Sequence, residues 1–558
     1  MAKEKGSYCV PNEIRALKPA GIPCLVKNIR GHFYVYEHKR VQDPARPGKT
    51  KNASGRCIGK IEGGVFVPNG KDDRVGVNPA SLKDRDLENK DYGEYAVVLA
   101  CSGCVLDKLK LCFSEEDSAR MYAMGIIYFI HGYRPASYIK DIFDQSVLSD
   151  KWRTLPFSEN TIGSFLKEIG LHGLSCEKFE QTLIEESSEM TAIDGHVILS
   201  CSQQNDLADY GRKYSVIGNK QVNIMTAYDV EQDHPLTSKV FDGALPDKSA
   251  VRELFDSYNF KNKTFIVDMG FYSEENLGIY RKGGNHFVIP VPDNTVIARA
   301  MKVSAVFSDS FLYERAGDGG VPEQDVILYR ESTVNVLEQL VQWAADEDAR
   351  KKNETDDGSA NTEKKPGRHR ARKINKSQWG EDRIIIYRDE TMHRKMADDF
   401  KSQIGIDEQH TPGRLAELED FFGVILLRTN KQETAQETYS TYKKRWRIET
   451  HYNHVRNEAD FTGIQSHDYY TLQGIGFMML IEGLIKASFQ KKLENASSDY
   501  VRHMSKRECL QKAAHAKIAL HQDGLWYPST IKSRTEQMLV EMGVTVEDDI
   551  NKLNNKTY

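Results

Sequence analysis

The sequence lacks an apolar run long enough to cross a membrane. A membrane helix needs about 18 or more consecutive apolar residues. The closest approach, GIGFMMLIEGLIKASF from Gly474, is interrupted by Glu482 and Lys486. The first residues, MAKEKGSYCVPNE, also lack the apolar core of a signal peptide. We therefore expect a cytoplasmic protein with no membrane partner.

The sequence also lacks the cysteine pattern of a disulfide-rich protein. Its nine cysteines are an odd, scattered set among 558 residues, which argues against a disulfide framework. Cys101 and Cys104 form one CxxC pair with Cys112 nearby, but a zinc site needs a second pair of ligands, and none has suitable spacing. We expect buried core thiols here, with a zinc-dependent binding module as the alternative.

An overall excess of basic charge is missing too, since the net charge is -5. The charge is uneven, however, because residues 1–60 carry 13 Lys and Arg against 4 Asp and Glu. A nucleic-acid binder can be acidic overall when its basic patches are local. Strand-like runs around the turn-rich segment predict a small sheet with a basic loop between Lys39 and Lys60. That loop either contacts a phosphate backbone or is a solvated surface loop.

The composition, with 39% hydrophobic and 28% charged residues, is typical of a globular chain of several domains. Residues 86–187 read as mostly helical, with Ser114 as an N-cap. From residue 188 three strand-like runs precede a helix–strand–helix–strand order, which predicts a mixed sheet with covering helices: EMTAIDGHVILS, KYSVIGN and QVNIMTAYDV. Residues 345–377 form a low-complexity break with a strongly basic end, either a DNA-tethering arm or a solvated loop.

Two acidic residues end strand-like runs. Asp194 follows MTAI and precedes Gly195, and Asp268 follows TFIV with Gly270 close behind. An Asp at a strand end can project its carboxylate into a cleft, but it is also a common turn former. Either residue alone is weak evidence for a catalytic site.

A third segment, TYKKRWRIETHYNHVRN, is more informative. On one continuous α-helix, at about 100° per residue, Tyr442, Arg445, Glu449 and Arg456 fall within an arc of about 60°. A stripe of this composition is not a core stripe. The alternative is a solvated face held by an Arg445–Glu449 pair at i, i+4, which leaves the dense polar and aromatic set unexplained.

These residue types suit phosphodiester chemistry. Two-metal cleavage requires carboxylates that hold hard cations about 3.5–4 Å apart, and Mg²⁺ keeps sites for water and phosphate oxygen. Three acids from two strands and a helix are sufficient. Arg gives phosphate a bidentate partner, and Tyr stacks on a base or donates to a phosphate oxygen.

The spacing Tyr-x2-Arg-x3-Glu-x6-Lys is the signature of one group of bacterial DDE transposases, insertion sequence family four and its close relatives. The chain resembles this group through Tyr442, Arg445 and Glu449, with Arg456 in place of the usual Lys. VDMGFYSEENL resembles the family's second-Asp segment, and IDGH resembles its first-Asp segment. The resemblance is strongest over 188–300 and 420–485.

The resemblance implies an α/β fold with a ribonuclease-H-like mixed-sheet core, which a β-rich insertion domain interrupts between Asp268 and Glu449. The expected parts, in chain order, are a β-rich basic amino-terminal DNA-binding domain (1–85), a helical domain (86–187), the first part of the core (188–300), the insertion domain with a flexible basic excursion at 345–377 (301–430), the second part of the core (431–490) and a helical carboxy-terminal region (491–558).

The resemblance also implies a mechanism. Asp194, Asp268 and Glu449 would bind two Mg²⁺ ions, for which Mn²⁺ can substitute. Hydrolysis at the transposon ends would leave a 3′-hydroxyl that attacks target DNA, while Tyr442, Arg445 and Arg456 hold the strand. A homodimer would join two ends of double-stranded DNA in the nucleoid-associated cytoplasm. Some relatives flip a base onto insertion-domain aromatics, for which the weak candidates are Trp343 and Trp379.

Two rival functions share this fold. A nuclease with the same triad that does not transpose would look the same in sequence, and strand-transfer products separate the two. A catalytically silent DNA-binding protein derived from a transposase is the other, and the presence of all three acids argues against it.

Overall fold

The computed structural model describes most of the chain outside the predicted basic excursion. The described residues are 10–19, 23–42, 50–68, 88–202, 204–210, 220–295, 297–298, 301, 307–316, 322–333, 382–458, 463–464 and 466–555. The predicted strand KYSVIGN, the excursion at 345–377 and both Trp343 and Trp379 lie outside them.

The chain divides into two compact units, of which the smaller comprises residues 1–88 and 519–525. It contains helix α1 (Asn12–Ala16) and a four-stranded antiparallel sheet of β1 (Cys24–Ile29), β2 (His32–Gln42), β3 (Thr50–Glu62) and β4 (Val65–Pro68) in that order. Gly63 and Gly64 both have positive φ, at 60° and 78°, as a two-residue hairpin turn requires. The predicted sheet is confirmed. The prediction of a loop from Lys39 to Lys60 was wrong for most of that range, because residues 39–42 and 50–60 pair as parts of β2 and β3, while residues 43–49 fall outside the described part.

The larger unit comprises residues 89–518 and 526–558. After strand β5 (Glu88–Asp91), six helices follow: α2 (Gly93–Lys110), α3 (Glu115–His131), α4 (Ala136–Gln145), α5 (Leu148–Lys151), α6 (Glu159–Leu171) and α7 (Gly173–Glu186). The hydroxyl of Ser114 accepts a hydrogen bond from the amide of Asp117, which satisfies a free donor at the start of α3. The predicted helical region and its N-cap are therefore present.

A large mixed sheet of eleven strands forms the centre of this unit. Its first strands and helices are β6 (Met190–Ser200), β7 (Gln221–Asp229), β8 (His234–Pro235), β9 (Lys239–Asp242), α8 (Asp247–Ser257), β10 (Thr264–Val267), α9 (Glu274–Tyr280) and β11 (His286–Pro290). Strand β7 pairs antiparallel with β6, β8 and β9, whereas β10 is parallel to both β6 and β11. Helices α8 and α9 make the crossovers that parallel strands need.

The segment between Asp268 and Glu449 adds four strands to this same sheet. They are β12 (Asp309–Ala316), β13 (Pro322–Thr333), β14 (Arg383–Asp389) and β15 (Val424–Thr429), in the order β12-β13-β14-β15-β11. Helices α10 (Glu390–Gln403) and α11 (Pro412–Leu418) lie between β14 and β15. The β-rich character expected of the insertion is present, and its strands extend the core sheet antiparallel from β11.

Buried ion pairs and hydrogen bonds connect the added strands to the segment that follows Asp268. The side chain of Arg428 on β15 is fully buried and donates to the carboxylate of Asp382 at 2.7 Å. Its guanidinium also donates to the Tyr272 hydroxyl at 2.9 Å and to Glu274 at 2.8 Å. A buried charge is tolerated when its hydrogen bonds are satisfied by such partners. The insertion therefore packs as a continuation of the core.

The remaining chain is mainly helical. It comprises α12 (Ala435–Lys443), α13 (Trp446–Asn453), a π-helical turn (His454–Glu458), β16 (Gly463–Ile464), α14 (Tyr469–Glu494), α15 (Asp499–Arg502), α16 (Lys506–Ala513), β17 (Lys517–Leu520), β18 (Trp526–Pro528), α17 (Ser533–Glu541) and α18 (Val546–Asn555). Short 3₁₀ turns occur at Met269–Phe271, Lys282–Gly284 and Glu419–Phe421.

Helix α14 is the central helix of the larger unit. It packs against α2, α3 and α6, and its apolar side chains meet the sheet through Leu472 and Met479. It is the one described helix long and apolar enough to cross a membrane, but 72% of its apolar window is buried inside the fold. That burial is typical of the core helix of a globular protein.

Candidate active site

Asp194 and Asp268 lie side by side on neighbouring strands. Strands β6 and β10 are parallel, and Ile193 is paired with Val267. The next residue on each strand is the acid, so the register places Asp194 opposite Asp268 at a strand spacing of about 4.8 Å. The two acids were weak candidates separately, and the register is what brings them together.

The prediction that Asp194 ends its strand was wrong. β6 continues through Gly195 to Ser200, and Asp194 is paired with Thr226 across the antiparallel ladder to β7. Gly195 remains in the ladder opposite Met225, so this glycine opens no turn. Asp268 does follow the last residue of its strand, and it directly precedes the 3₁₀ turn Met269–Phe271.

The prediction of one continuous helix from Tyr442 to Arg456 was also wrong. Tyr442 lies in α12, Glu449 lies in α13, and Arg445 stands at the junction between them. The amides of Lys444, Arg445, Arg447 and Ile448 each donate to the carbonyl three residues back, which tightens the chain here. After Asn453 the π-helical turn carries Arg456. The angle per residue therefore changes twice along the predicted stripe.

Arg445 is the centre on which the predicted residues meet. Its Nη2 lies 2.5 Å from Oε1 of Glu449, and its guanidinium carbon is 5.9 Å from the centre of the Tyr442 ring. Burial alone would lower the pKa of Arg445, but Tyr442, Asp268, Glu449 and Asp194 raise it overall. The Arg445–Glu449 pair that the solvated-face alternative predicted is thus present. Arg445 also interacts electrostatically with Asp194 and Asp268, so the pair is part of a larger charged cluster.

Carboxylates such as those of Asp194, Asp268 and Glu449 are the ligand type that a hard divalent cation prefers. In the described part of the chain, no three His, Cys, Asp or Glu side chains are close enough together to hold a metal ion. The guanidinium instead supplies positive charge among Asp194, Asp268 and Glu449. Three carboxylates against one guanidinium leave the cluster with excess negative charge, which favours an added cation.

Trp446 is a candidate functional residue that the sequence reasoning passed over. Its indole is 58% exposed, which is unusual for a tryptophan, and it lies one position after Arg445 and three before Glu449. Met269, directly after Asp268, is also exposed. The sequence signal that could have identified Trp446 is its position directly after Arg445 of the motif. Arg456 is exposed on the π-helical turn, as a phosphate contact requires.

Among the described residues, the cysteines do not assemble a zinc site. Burial raises the pKa of the Cys101 thiol to about 12, and this thiol donates to the carbonyl of Met542 at 3.6 Å. Cys104 lies 3.9 Å from the hydroxyl of Ser488, and Cys112 is half-buried. The expectation of buried core thiols was wrong for Cys104, which is exposed, while Cys101 is half-buried. A protonated thiol such as that of Cys101 is a poor metal ligand.

Residues 185–482, slightly more than half of the chain, match the family model of the transposase DDE domain. The chain belongs to this family. Its activity is accordingly that of a DDE transposase, an enzyme of DNA transposition that acts on DNA, and family members generally use divalent metal ions. The matched range contains both strand acids and Glu449.

One solved structure is similar to this chain over most of the length of both proteins. It is the cryo-EM structure of the piggyBac transposase synaptic complex with hairpin DNA, at 10% sequence identity and a TM-score of 0.36, covering 82% of this chain and 84% of that one. At this level of similarity the family assignment rests on the domain match alone. No curated protein matches the sequence.

Proposed function

We propose that Asp194, Asp268 and Glu449 are the catalytic triad and hold two Mg²⁺ ions, which Mn²⁺ can replace. The single observation that carries this proposal is that these three carboxylates, from two neighbouring strands and a helix, all interact electrostatically with Arg445. The bound ions would activate the attacking oxygen and neutralise charge on the phosphate.

We further propose that β6–β11 form a ribonuclease-H-like core. Three antiparallel strands, β6, β7 and β9, are followed by two parallel ones, and across the sheet they stand in the order third, second, first, fourth, fifth. Residues 301–430 are then the insertion, and residues 431–490 are the second part of the core. The basic amino-terminal domain, residues 1–85, is the proposed DNA-binding domain.

The other residues of the cluster would hold the DNA strand. Arg445 offers two parallel donors to a phosphate, and Arg456 offers a second cation on the adjoining turn. Tyr442 is half-buried beneath Arg445 and would orient it. The exposed ring of Trp446 is free to stack on a base. We propose that the chain belongs with insertion sequence family four and its close relatives, because it shares their Tyr, Arg and Glu spacing.

The proposed reaction is cut-and-paste transposition. Hydrolysis at each transposon end would release a 3′-hydroxyl, and this hydroxyl would attack a phosphate of target DNA in a second step. Two ends must be held together for a joint insertion, so the proposed active form is a homodimer on double-stranded DNA. A chromosomal substrate would place the transposase at the nucleoid in the cytoplasm.

A two-ended substrate tests this proposal. A plasmid that carries the inverted repeats flanking the gene is incubated with the full-length protein, Mg²⁺ and a target plasmid. We expect cleavage at both ends and joined products in the target. Cleavage without joined products would support a nuclease that does not transpose. Neither product, despite binding of the ends, would support the catalytically silent alternative.

A further inference from the structure

Tyr452 connects the helix of Glu449 to the strand of Asp194. It lies three residues after Glu449 on α13 and is only 6% exposed. Its hydroxyl donates a hydrogen bond of 2.8 Å to the backbone carbonyl of Asp194. Residues i and i+3 share one face of a helix, so this bond acts close to Glu449.

Two further contacts of Tyr452 involve the same strand pair. Its ring stacks on His196, two residues beyond Asp194 on β6, with ring centres 4.7 Å apart and planes at 20°. Its hydroxyl also interacts with Thr226, which is the cross-strand partner of Asp194. The contacts of this one side chain therefore surround the position of Asp194 on the sheet.

Other side chains in and next to α13 make their contacts away from the proposed triad. Arg447 donates to the carbonyl of Val230 at 2.6 Å, and His454 pairs with the buried Glu482 at 2.8 Å. These bonds hold α13 and the π-helical turn against the fold. Tyr452, by contrast, reaches from α13 to the backbone of Asp194.

We propose that Tyr452 is a positioning residue that sets the separation between the carboxylates of Glu449 and Asp194. The inference rests on the proposed triad. Metal ligands from distant parts of a chain must be held at closely fixed separations, and residues behind the ligands commonly do this. Here Tyr452 and Asp194 are 258 positions apart in sequence, and the phenol hydroxyl joins them directly.

The test compares Tyr452→Phe with Tyr228→Phe in the full-length protein. Tyr228 belongs to the same hydrophobic cluster and is equally buried, but its hydroxyl donates to Asp233 at 3.1 Å and does not contact Asp194. Both changes remove one buried hydroxyl. Mn²⁺ binding to the DNA-free protein is measured by electron paramagnetic resonance, thermal unfolding by circular dichroism, and end cleavage as a function of Mg²⁺.

For Tyr452→Phe we expect the Mn²⁺ dissociation constant and the Mg²⁺ concentration for half-maximal cleavage to rise about tenfold. The maximal rate should recover largely at saturating Mg²⁺, and the unfolding temperature should match that of Tyr228→Phe. Unchanged metal dependence in Tyr452→Phe, or an equal shift in Tyr228→Phe, would overturn the inference.

Glu449→Gln in the same titration separates this inference from the triad itself. If that variant binds Mn²⁺ as the wild type does, the proposed triad fails. If it weakens Mn²⁺ binding while Tyr452→Phe does not, the triad stands and the positioning role of Tyr452 is wrong.

Discussion

Replacing Arg445 with Gln should change metal binding and DNA cleavage in opposite directions. In the structure the guanidinium is paired with Glu449 at 2.5 Å and is attracted electrostatically by Asp268 and Asp194, so a metal ion must compete with it for the same carboxylates. When DNA is bound, we expect the guanidinium to contact a phosphate instead. The variant therefore loses a competitor for the metal and also a contact to the substrate.

The expected change in Mn²⁺ affinity can be worked out from the solvent exposure of the two paired side chains. The side chains of Arg445 and Glu449 are 19% and 50% exposed, so their ion pair contributes about 1 kcal/mol or less. Asp268 and Asp194 add a screened attraction, for a total of about 1–2 kcal/mol. At about 1.4 kcal/mol per tenfold, Mn²⁺ should bind Arg445→Gln about 5–30-fold more tightly. A lost charged contact to phosphate, of about 1.5–3 kcal/mol, should slow end cleavage about 10–100-fold.

The assay is calorimetric titration of the DNA-free protein with Mn²⁺, beside cleavage of a transposon-end duplex at saturating metal. Arg447→Gln is the matched control, because its guanidinium donates to the Val230 carbonyl and should leave Mn²⁺ affinity unchanged. Mn²⁺ binding to Arg445→Gln that is equal to or weaker than that of the wild type would refute the competition.

Three further outcomes are expected. Arg456→Ala should weaken processing of the transposon end, and Arg456→Lys should restore part of it. An unchanged cleavage rate and DNA-end affinity in Arg456→Ala would mean that Arg456 is a solvated surface residue without a role in DNA binding. Burial would raise the pKa of Glu482, but His454 chiefly lowers it to about 2, so the stability this pair confers is present above about pH 4.5 and lost as the pH falls toward 2. Glu482→Gln should cost about 3 kcal/mol, measured by thermal unfolding at pH 7, where an unchanged melting temperature would contradict the buried pair. Cys101→Ala should leave DNA cleavage unchanged and the purified protein free of stoichiometric zinc by elemental analysis.

The sequence predicted which residues lie together in the candidate site better than it predicted the helices and strands that hold them. Tyr442, Arg445 and Glu449 were grouped from one helical spacing, and the structure brings them together although the helix is broken at Arg445. The break depends on backbone hydrogen bonds, and no Pro or Gly marks it in the sequence. Glycine after Asp194 suggested a turn, but pairing with β7 keeps the strand extended.

Long-range pairing accounts for what the sequence reasoning missed. The register that sets Asp194 beside Asp268 depends on which strands become neighbours, and no local pattern encodes it. The insertion strands were foreseen, whereas their continuity with the core sheet through β15 and β11 was not. A buried tyrosine such as Tyr452 looks like ordinary core in sequence, because its partner is 258 residues away.

Cleavage of a labelled transposon-end duplex by Glu449→Gln in Mg²⁺ tests the central claim most directly. The substitution keeps the size of the side chain and removes the charge that would bind the metal. The proposed triad predicts that cleavage is abolished while binding of the duplex, followed by mobility shift, is largely retained. Cleavage at the wild-type rate would contradict the assignment of Asp194, Asp268 and Glu449 as the catalytic centre.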